Sequence, residues 1–562
     1  MKGTSEDKVV ETDVLIIGGG IAGLFAGIKA KDEAPGATVT LVDKACPGAS
    51  GCSAFAAGVF PYWQPGDDLE AYLESVVTTN SEYLIDQDYA ETAIRESHDR
   101  FKDLLEYGVD FEEDAEGKIK RFPIVASKES YCSAFAGGPH LMWKVRTRAL
   151  RDGVQPLERI AITDLLKSDG RCVGAVGFHV VRGDPYVFKA KATVLAAGTL
   201  YFNRAPIGSA GVAGDGPALA FRAGVELRNM EQSGSATIGP KGLGSPGLHV
   251  IFGGGGHLVN SKGERFMQRY NPTLMELSRR FDMARAILQE WREGRGPCYV
   301  DCRHLPPDRI ATIRRALPLV MRGLKSQGLD IARDRIEYIP YNPSIMHQAG
   351  ARLKNANGEV NLEGLWVVGT AGDFCGGADT TAVTALPGSS VQGARAGRMA
   401  VQHAAKSGPP TINAAEVDRL REAAFAPLNK RSDGLSVDSV FHRTLEVAFR
   451  YINLLKSEDM LNKAMQELGS LKADVKRIVA KDFHELRKAH DVRNMVQLSE
   501  VIAKASLLRT ESRRAHYRLD HPTRDDRNWL KWVIASLDGD EVRLSTENIP
   551  LEKWRYRPKL SG

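Results

Sequence analysis

Residues 12–44 read TDVLIIGGGIAGLFAGIKAKDEAPGATVTLVDK, a strand–turn–helix–strand pattern. Val14–Ile17 is an apolar run of the kind that parallel sheets bury on both faces. Gly18, Gly20 and Gly23 follow at G-x-G-x-x-G spacing, with Gly19 and Ala22 in the same turn. Leu24 to Ala30 predicts a helix whose small residues face a sheet. A second β-branched run, Val39–Val42, ends in Asp43, twenty residues past Gly23. Each position has a task in holding a dinucleotide. Gly18 permits the tight turn, Gly20 lets backbone approach a pyrophosphate, and Gly23 lets helix and strand pack closely. The helix N-terminus offers unpaired N–H groups and partial positive charge to the phosphates. Asp43 accepts hydrogen bonds from a ribose diol.

Lys44 and the run CPGASGCSAFAAGVF (46–60) come directly after the acid. Small residues there, Ser50 and Gly51 among them, let backbone approach a flat ring system or a diphosphate. VFKAKATVLAAG (187–198) predicts a further strand ending in small residues, Ala197 and Gly198. Gly214-Asp215-Gly216 stands before a helical stretch. Residues 364–404 repeat the theme: a strand from Leu365 to Val368, a loop with Gly369 and Asp373, and a helix starting at Pro387-Gly388-Ser389-Ser390 and continuing through Val391. The N-terminus of that helix is free to face a polarised ring edge. An N-terminal glycine motif with a distant strand–loop–helix favours FAD over NAD, because a long cofactor needs both halves of one domain.

A length of 562 residues implies two or more domains. The formal net charge of +5 is small for that size and points to no nucleic-acid partner. Seven cysteines occur without a CxxC pair, which disfavours an iron–sulfur cluster or structural metal site in this chain. Their odd number and irregular spacing suggest reduced thiols. The first residues lack a secretory core, and no apolar run reaches membrane-spanning length. The expectation is a cytoplasmic protein without direct membrane insertion, peripheral to a membrane only through a partner subunit.

VLIIGGGIAGL, TVLAAGT, GDG, GHLVNSKGERFMQRYNP (256–272), GLWVVGTAGD and RTESRRAHYRLDHPTRDDRNWL (509–530) resemble the flavoprotein subunits of fumarate reductase and succinate dehydrogenase. Aspartate oxidase and the α subunit of adenylylsulfate reductase are relatives of these. The resemblance runs through most of the chain in motif order. It implies an α/β fold: a Rossmann-like FAD-binding domain (1–235 and 346–412) interrupted by an α+β capping domain (236–345). A helical C-terminal domain (413–530) and a C-terminal tail (531–562) follow. The Ser407–Thr411 stretch, with its two prolines, reads as the last linker.

The chain departs from that family where its chemistry is done. Members with covalent flavin carry a histidine in an SHTxxAxGG segment, and Gly51 stands there, so the resemblance implies noncovalent FAD. The segment that reads RGEGG in the dicarboxylate enzymes is Phe252-Gly253-Gly254-Gly255-Gly256, without arginine. Their substrate-binding FHPTG histidine falls on Gln232-Ser233-Gly234-Ser235, and their second arginine on the uncharged TTAVTALPG run. Fumarate needs cations for two carboxylates and a proton donor, so plain fumarate or succinate turnover is not expected. His347, in PSIMHQAGARL, is the leading proton donor or anion ligand, followed by Arg352 and His257; His140 is a further candidate. Each has the ordinary alternative of a structural hydrogen-bonder. Residues 415–530 carry amphipathic helical repeats whose charges, Lys456 and Lys472 among them, read as a solvated face. The arginine-dense segment from Arg509 to Arg518 reads as packing and surface salt bridges.

These readings imply an FAD-dependent oxidoreductase, the flavoprotein subunit of a reductase or dehydrogenase complex. A hydride or electron pair would pass between flavin N5 and a small anionic substrate. Lacking a cluster, the chain would need an iron–sulfur electron-transfer subunit. Two alternatives stand: sulfite/AMP chemistry like that of adenylylsulfate reductase, and a non-catalytic electron-relay flavoprotein.

Overall fold

The computed structural model describes residues 7–56, 58–123, 129–202, 211–233, 238–243, 248–341, 348–374, 376–379, 385–429 and 434–559. Its central element is a seven-stranded sheet built around the first strand, β1 (Lys8–Ile17). The chain leaves β1 through the glycine turn into α1 (Ile21–Glu33), then β2 (Val39–Val42). It returns to the sheet as β3 (Gln155–Leu157), β4 (Ile160–Ser168), β5 (Arg171–His179) and β6 (Pro185–Leu195). The order across the sheet is β3-β2-β1-β6-β5-β4. β1, β2, β3 and β6 run parallel, while β4 and β5 form an antiparallel extension. Later in the chain come α2 (Asp215–Arg222), α3 (Arg280–Arg292), β7 (Leu365–Val367), α4 (Leu386–Lys406) and α5 (Phe483–Leu508). β7 pairs parallel with the end of β6, so a strand 170 residues downstream completes the nucleotide-binding half of the sheet.

The alternation along β1 shows why both faces are covered. Val14 and Ile16 enter one core with Phe25 and Ile28 of α1 and Ala396 of α4. Leu15 and Ile17 enter the opposite core with Val492, Met495 and Val496 of α5. A strand buried on both sides reads as a continuous apolar run, as this one does. α1 and α4 lie in contact because Gly393 and Gly397 let the backbone of α4 approach Ala22 and Ala26, where a Cβ would meet each carbonyl oxygen at 2.1 Å.

Residues 238–340 supply a separate four-stranded antiparallel sheet, Ile238–Pro240, Ile336–Pro340, Tyr299–Asp301 and His257–Val259. It packs with α3 into its own apolar core. The helical region follows: Ala414–Phe425 lies on β4 and β5, while Val437–Tyr451 and Glu458–Val475 are set against α5. Their N-termini are capped by Asn413, Ser436 and Ser457, and that of α5 by Asp482. Helix α5 is buried nearly all round, as expected for the centre of a bundle.

Three expectations need correction here. The stretch from 531 onward is not a tail: Lys531–Asp538 and Glu541–Asn548 form a hairpin within a second four-stranded sheet. Its two-residue turn, Gly539-Asp540 with Gly539 at φ 59°, is a hairpin signal. Lys456 is fully buried rather than solvated, its Nζ donating to the Ser233 carbonyl at 3.0 Å. Burial pushes its ammonium down to about 7. Arg509 and Arg513 are buried as well, held by Glu231, Glu511 and Asp526 at 2.7–2.8 Å rather than lying on the surface.

Candidate functional site

The C-terminal ends of β1, β2 and β6 and the turn after β7 open into one cleft of about 940 Å³, walled by the start of α3 on one side and by α5 on another. This is where an open α/β sheet presents backbone N–H groups to a ligand. Gly23 is dictated by packing: a Cβ there would lie 1.9 Å from the Gly18 carbonyl oxygen. The N-termini of α1 and α4 both reach the cleft, and neither has a side-chain cap. Apart from Ile21 N, which donates to Ser53 Oγ at 3.3 Å, the first-turn N–H groups and the partial positive charge are left for an anion or a polarised ring edge.

Asp43 is positioned by its neighbours. Its Oδ2 accepts from Gly19 N at 2.8 Å and its Oδ1 from Ala45 N at 2.7 Å, which turns the carboxylate into the cleft. Beyond it, Lys44 Nζ bonds Asp215 Oδ2 at 2.5 Å and Asp491 Oδ1 at 3.1 Å. Burial pushes the Lys44 ammonium down, but the two carboxylates outweigh it and hold it charged. Two uncapped helix N-termini, a glycine cradle and an oriented acid on one surface fit a dinucleotide with a ring system at its far end, as FAD has.

Of the expected cofactor contacts, Gly18, Gly19, Gly20, Ala22, Asp43 and Lys44 line the cleft. So do Ser50, Gly51, Ala197, Gly198, Asp215, Gly369 and Ser389. Gly23, Gly388, Ser390 and Val391 stand behind it in the helix turns; Ser390 Oγ donates to the Pro387 carbonyl at 2.7 Å. Asp373 is also elsewhere, fully buried against Arg228 and accepting from Leu353 N at 3.1 Å. Burial pushes its carboxyl up to about 6.

The expected chemistry is redistributed more strongly. His347 lies outside the described residues. Arg352 bridges Glu226 at 2.8 Å and also Glu547, away from the cleft. His257 stacks on His304 with ring centroids 4.0 Å apart in the cap, and His140 sits 3.2 Å from Asp110; neither lines the cleft. An arginine pair missed by the sequence reading takes their place. Arg279 and Arg280, at the start of α3, line the cleft with Ser278 and Met283. Arg279 Nη1 donates to the Thr79 carbonyl at 2.9 Å, and Arg514 Nη2 donates to the same oxygen at 3.0 Å. Thr79 belongs to a π-helical turn, Ser75–Asn80, that is followed by Glu82 and Tyr83 at φ 45° and 67°. A π-turn followed by two non-glycine residues in the left-handed region is the kind of strained backbone found at functional sites. Arg280 lies near enough to Tyr201, another lining residue, for its charge to oppose the burial and the Cys52 thiol that raise that phenol. Val59, Phe122 and Leu277, 37, 39 and 58 % exposed, make an apolar rim around this end. The signal that locates the arginines is SRRFDMARA, a doubled cation at a helix start within the cap.

Comparison with known proteins agrees with this geometry. Residues 13–391 match the family described as FAD binding domain, and 443–561 that described as fumarate reductase flavoprotein C-term. An uncharacterised FAD-dependent oxidoreductase of Methanocaldococcus jannaschii is 30% identical, over 91% of this chain and 94% of its own. A relative from the fumarate reductase (CoM/CoB) of Methanothermobacter marburgensis is 29% identical, over 94% of this chain and 98% of its own. FrdA of E. coli quinol fumarate reductase has the same fold, with a TM-score of 0.86 at 24% identity and 98% of each chain covered. Adenylylsulfate reductase of Archaeoglobus fulgidus gives 0.79 at 22% identity, again over 98% of each. The chain is an FAD-dependent oxidoreductase belonging to the family of fumarate reductase and succinate dehydrogenase flavoprotein subunits.

Proposed function

We propose that this flavoprotein subunit exchanges an electron pair with an anionic substrate that carries an apolar body, held between the flavin end of the cleft and the start of α3. The observation that carries this reading is the pair Arg279 and Arg280 lining the cleft beside an exposed apolar rim. Bound FAD supplies hydride chemistry at its N5. The chain supplies the rest. Its arginines bind and orient the anion, bidentate recognition of a carboxylate being what a guanidinium does best. Val59, Phe122 and Leu277 would cover the apolar body, which fumarate lacks. Cap closure over the cleft would exclude water. His347 remains the proposed proton donor. With glycine at position 51 and no histidine in its segment, the flavin is held noncovalently. The electrons require a second protein, and an iron–sulfur subunit is the proposed partner.

The test is flavin reoxidation. Dithionite-reduced holoprotein is mixed anaerobically with fumarate, with 2-enoates bearing alkyl or aromatic bodies, and with enoyl thioesters; the oxidised protein is mixed with sulfite plus AMP. Faster reoxidation by the apolar 2-enoates than by fumarate is expected. A response to sulfite with AMP alone would favour the adenylylsulfate-reductase-like alternative. Failure of every acceptor with FAD intact would leave the electron-relay alternative. Acid precipitation should release the flavin into the supernatant; flavin retained in the pellet would contradict noncovalent binding.

A further inference from the structure

The end of the cleft beyond Asp43 is completed by α5, which lies outside the stretch 13–391 that matches an FAD-binding domain. Arg487, His490 and Asp491 line the cleft from one face of that helix, three and four residues apart. Asn494 continues the face and donates to Asp215 Oδ1 at 2.8 Å, while Asp491 bonds Lys44 at 3.1 Å. The helix is thereby tied to the same two residues that follow the glycine motif and open α2. With the phosphates at the N-terminus of α1 and a ribose on Asp43, the base of a bound dinucleotide falls farther along. That part of the cleft is lined by Ile160–Ile162 of β4 and by His490.

The imidazole of His490 has a fixed tautomer. Its Nε2 lies 2.9 Å from the Ala424 carbonyl oxygen, and a carbonyl only accepts, so Nε2 carries the proton. Phe178, fully buried, sits 5.9 Å away ring to ring and helps to hold the orientation. Burial, with the nearby charge of Arg493, keeps the ring neutral by pushing its pKa down to about 4. Nδ1 therefore keeps its lone pair, and among the described residues no donor reaches it. A partly buried acceptor left open on the wall of a base pocket matches a donor on the edge of the base.

We propose that His490 accepts a hydrogen bond from the exocyclic amino group of the FAD adenine, so that the C-terminal helical region takes part in selecting the dinucleotide. The inference rests on FAD occupying this cleft and is independent of which substrate the flavin serves.

The test needs no turnover. Full-length protein stripped of flavin is titrated, by equilibrium fluorescence, with FAD and with flavin hypoxanthine dinucleotide, in which a carbonyl oxygen replaces the amino group. Wild type should bind FAD about tenfold or more tighter, because the analogue loses one bond and sets two acceptors face to face. H490L should lose about tenfold in FAD affinity and bind the two dinucleotides within about threefold of each other. Equal affinity of wild type for both would overturn the proposal, a comparison that stands even if H490L fails to fold. Full discrimination retained in folded H490L would overturn it too, assigning the choice to the backbone of β4. Wild type that takes up neither dinucleotide would overturn the FAD assignment, and this inference with it.

Discussion

Replacing Gly23 with alanine should separate cofactor binding from folding. The new Cβ would lie 1.9 Å from the Gly18 carbonyl oxygen, whereas carbon–oxygen contacts settle near 3.4 Å, so about 1.5 Å of separation has to be found. The obstacle is backbone on both sides: Gly18 closes the turn at φ 110°, and its own Cβ position is blocked by the Ala196 carbonyl at 2.4 Å. The first turn of α1 must therefore tilt away from β1, carrying its unpaired N–H groups off the phosphate position. Overpacking of this kind costs about 1–3 kcal/mol, and a displaced N-terminus costs binding in addition. G23A should weaken FAD binding by tenfold or more while the apoprotein still folds. G27A is the control, because the nearest atom to its Cβ is the end of a side chain, Val154 Cγ2 at 3.0 Å, which can yield. The assay is FAD titration of apoprotein, with thermal melting in the presence and absence of flavin. G23A binding FAD like wild type, or G27A losing as much, would refute the packing argument.

Other outcomes follow from the same geometry. K44M would leave Asp215 and Asp491, 15 and 9 % exposed, without the lysine that bridges them, Arg487 still being paired with Asp491; a loss toward the lower end of about 3–5 kcal/mol in urea unfolding is expected, partly recovered in K44M/D215N. Glu290, fully buried, receives bonds from Arg295, Asn260 and Tyr270 that outweigh burial and hold its carboxyl down to about 2. Its contribution is whole above the ordinary 4.5 of a glutamate and is lost as pH falls from there toward 2. A melting-temperature profile should slope in that window, and E290Q should flatten it. R280A should slow flavin reoxidation by anionic acceptors by about a hundredfold while FAD affinity stays within about threefold, since one hydrogen-bond donor aimed at developing negative charge is worth about 2.7–4 kcal/mol. Unchanged reoxidation in R280A would remove Arg280 from the site.

The dinucleotide half was legible because its tasks are local. Strand, glycine turn, helix and acid follow one another within 33 residues, and each leaves a fixed spacing in the sequence. The strand Leu365–Val367 and helix Leu386–Lys406 were legible for the same reason, although their partners lie far away in the chain. The catalytic face was not. Arg352 looked like an anion ligand in its motif, but the hairpin beyond residue 531 brings Glu547 against it, a pairing with no local trace. Asp373 sits within a glycine-rich loop, and only the fold shows that Arg228 neutralises it under the surface. Lys456 read as solvated because its burial depends on segment 231–233 packing over it from more than two hundred residues away. Arg279 and Arg280 escaped notice because a doubled arginine at a helix start usually marks a surface. The cap sheet turns this start inward. His490 lies on a helix whose sequence carries no nucleotide motif at all.

Bound FAD and the arginines of α3 are expected to face one another across a single cleft. Stopped-flow recording of the flavin absorbance band, as reduced wild-type and R279A/R280A holoproteins meet the same apolar 2-enoate, tests this most directly. Saturable reoxidation is expected in wild type, and loss of saturation in the double variant with its FAD still bound. Identical traces from the two proteins would contradict that arrangement.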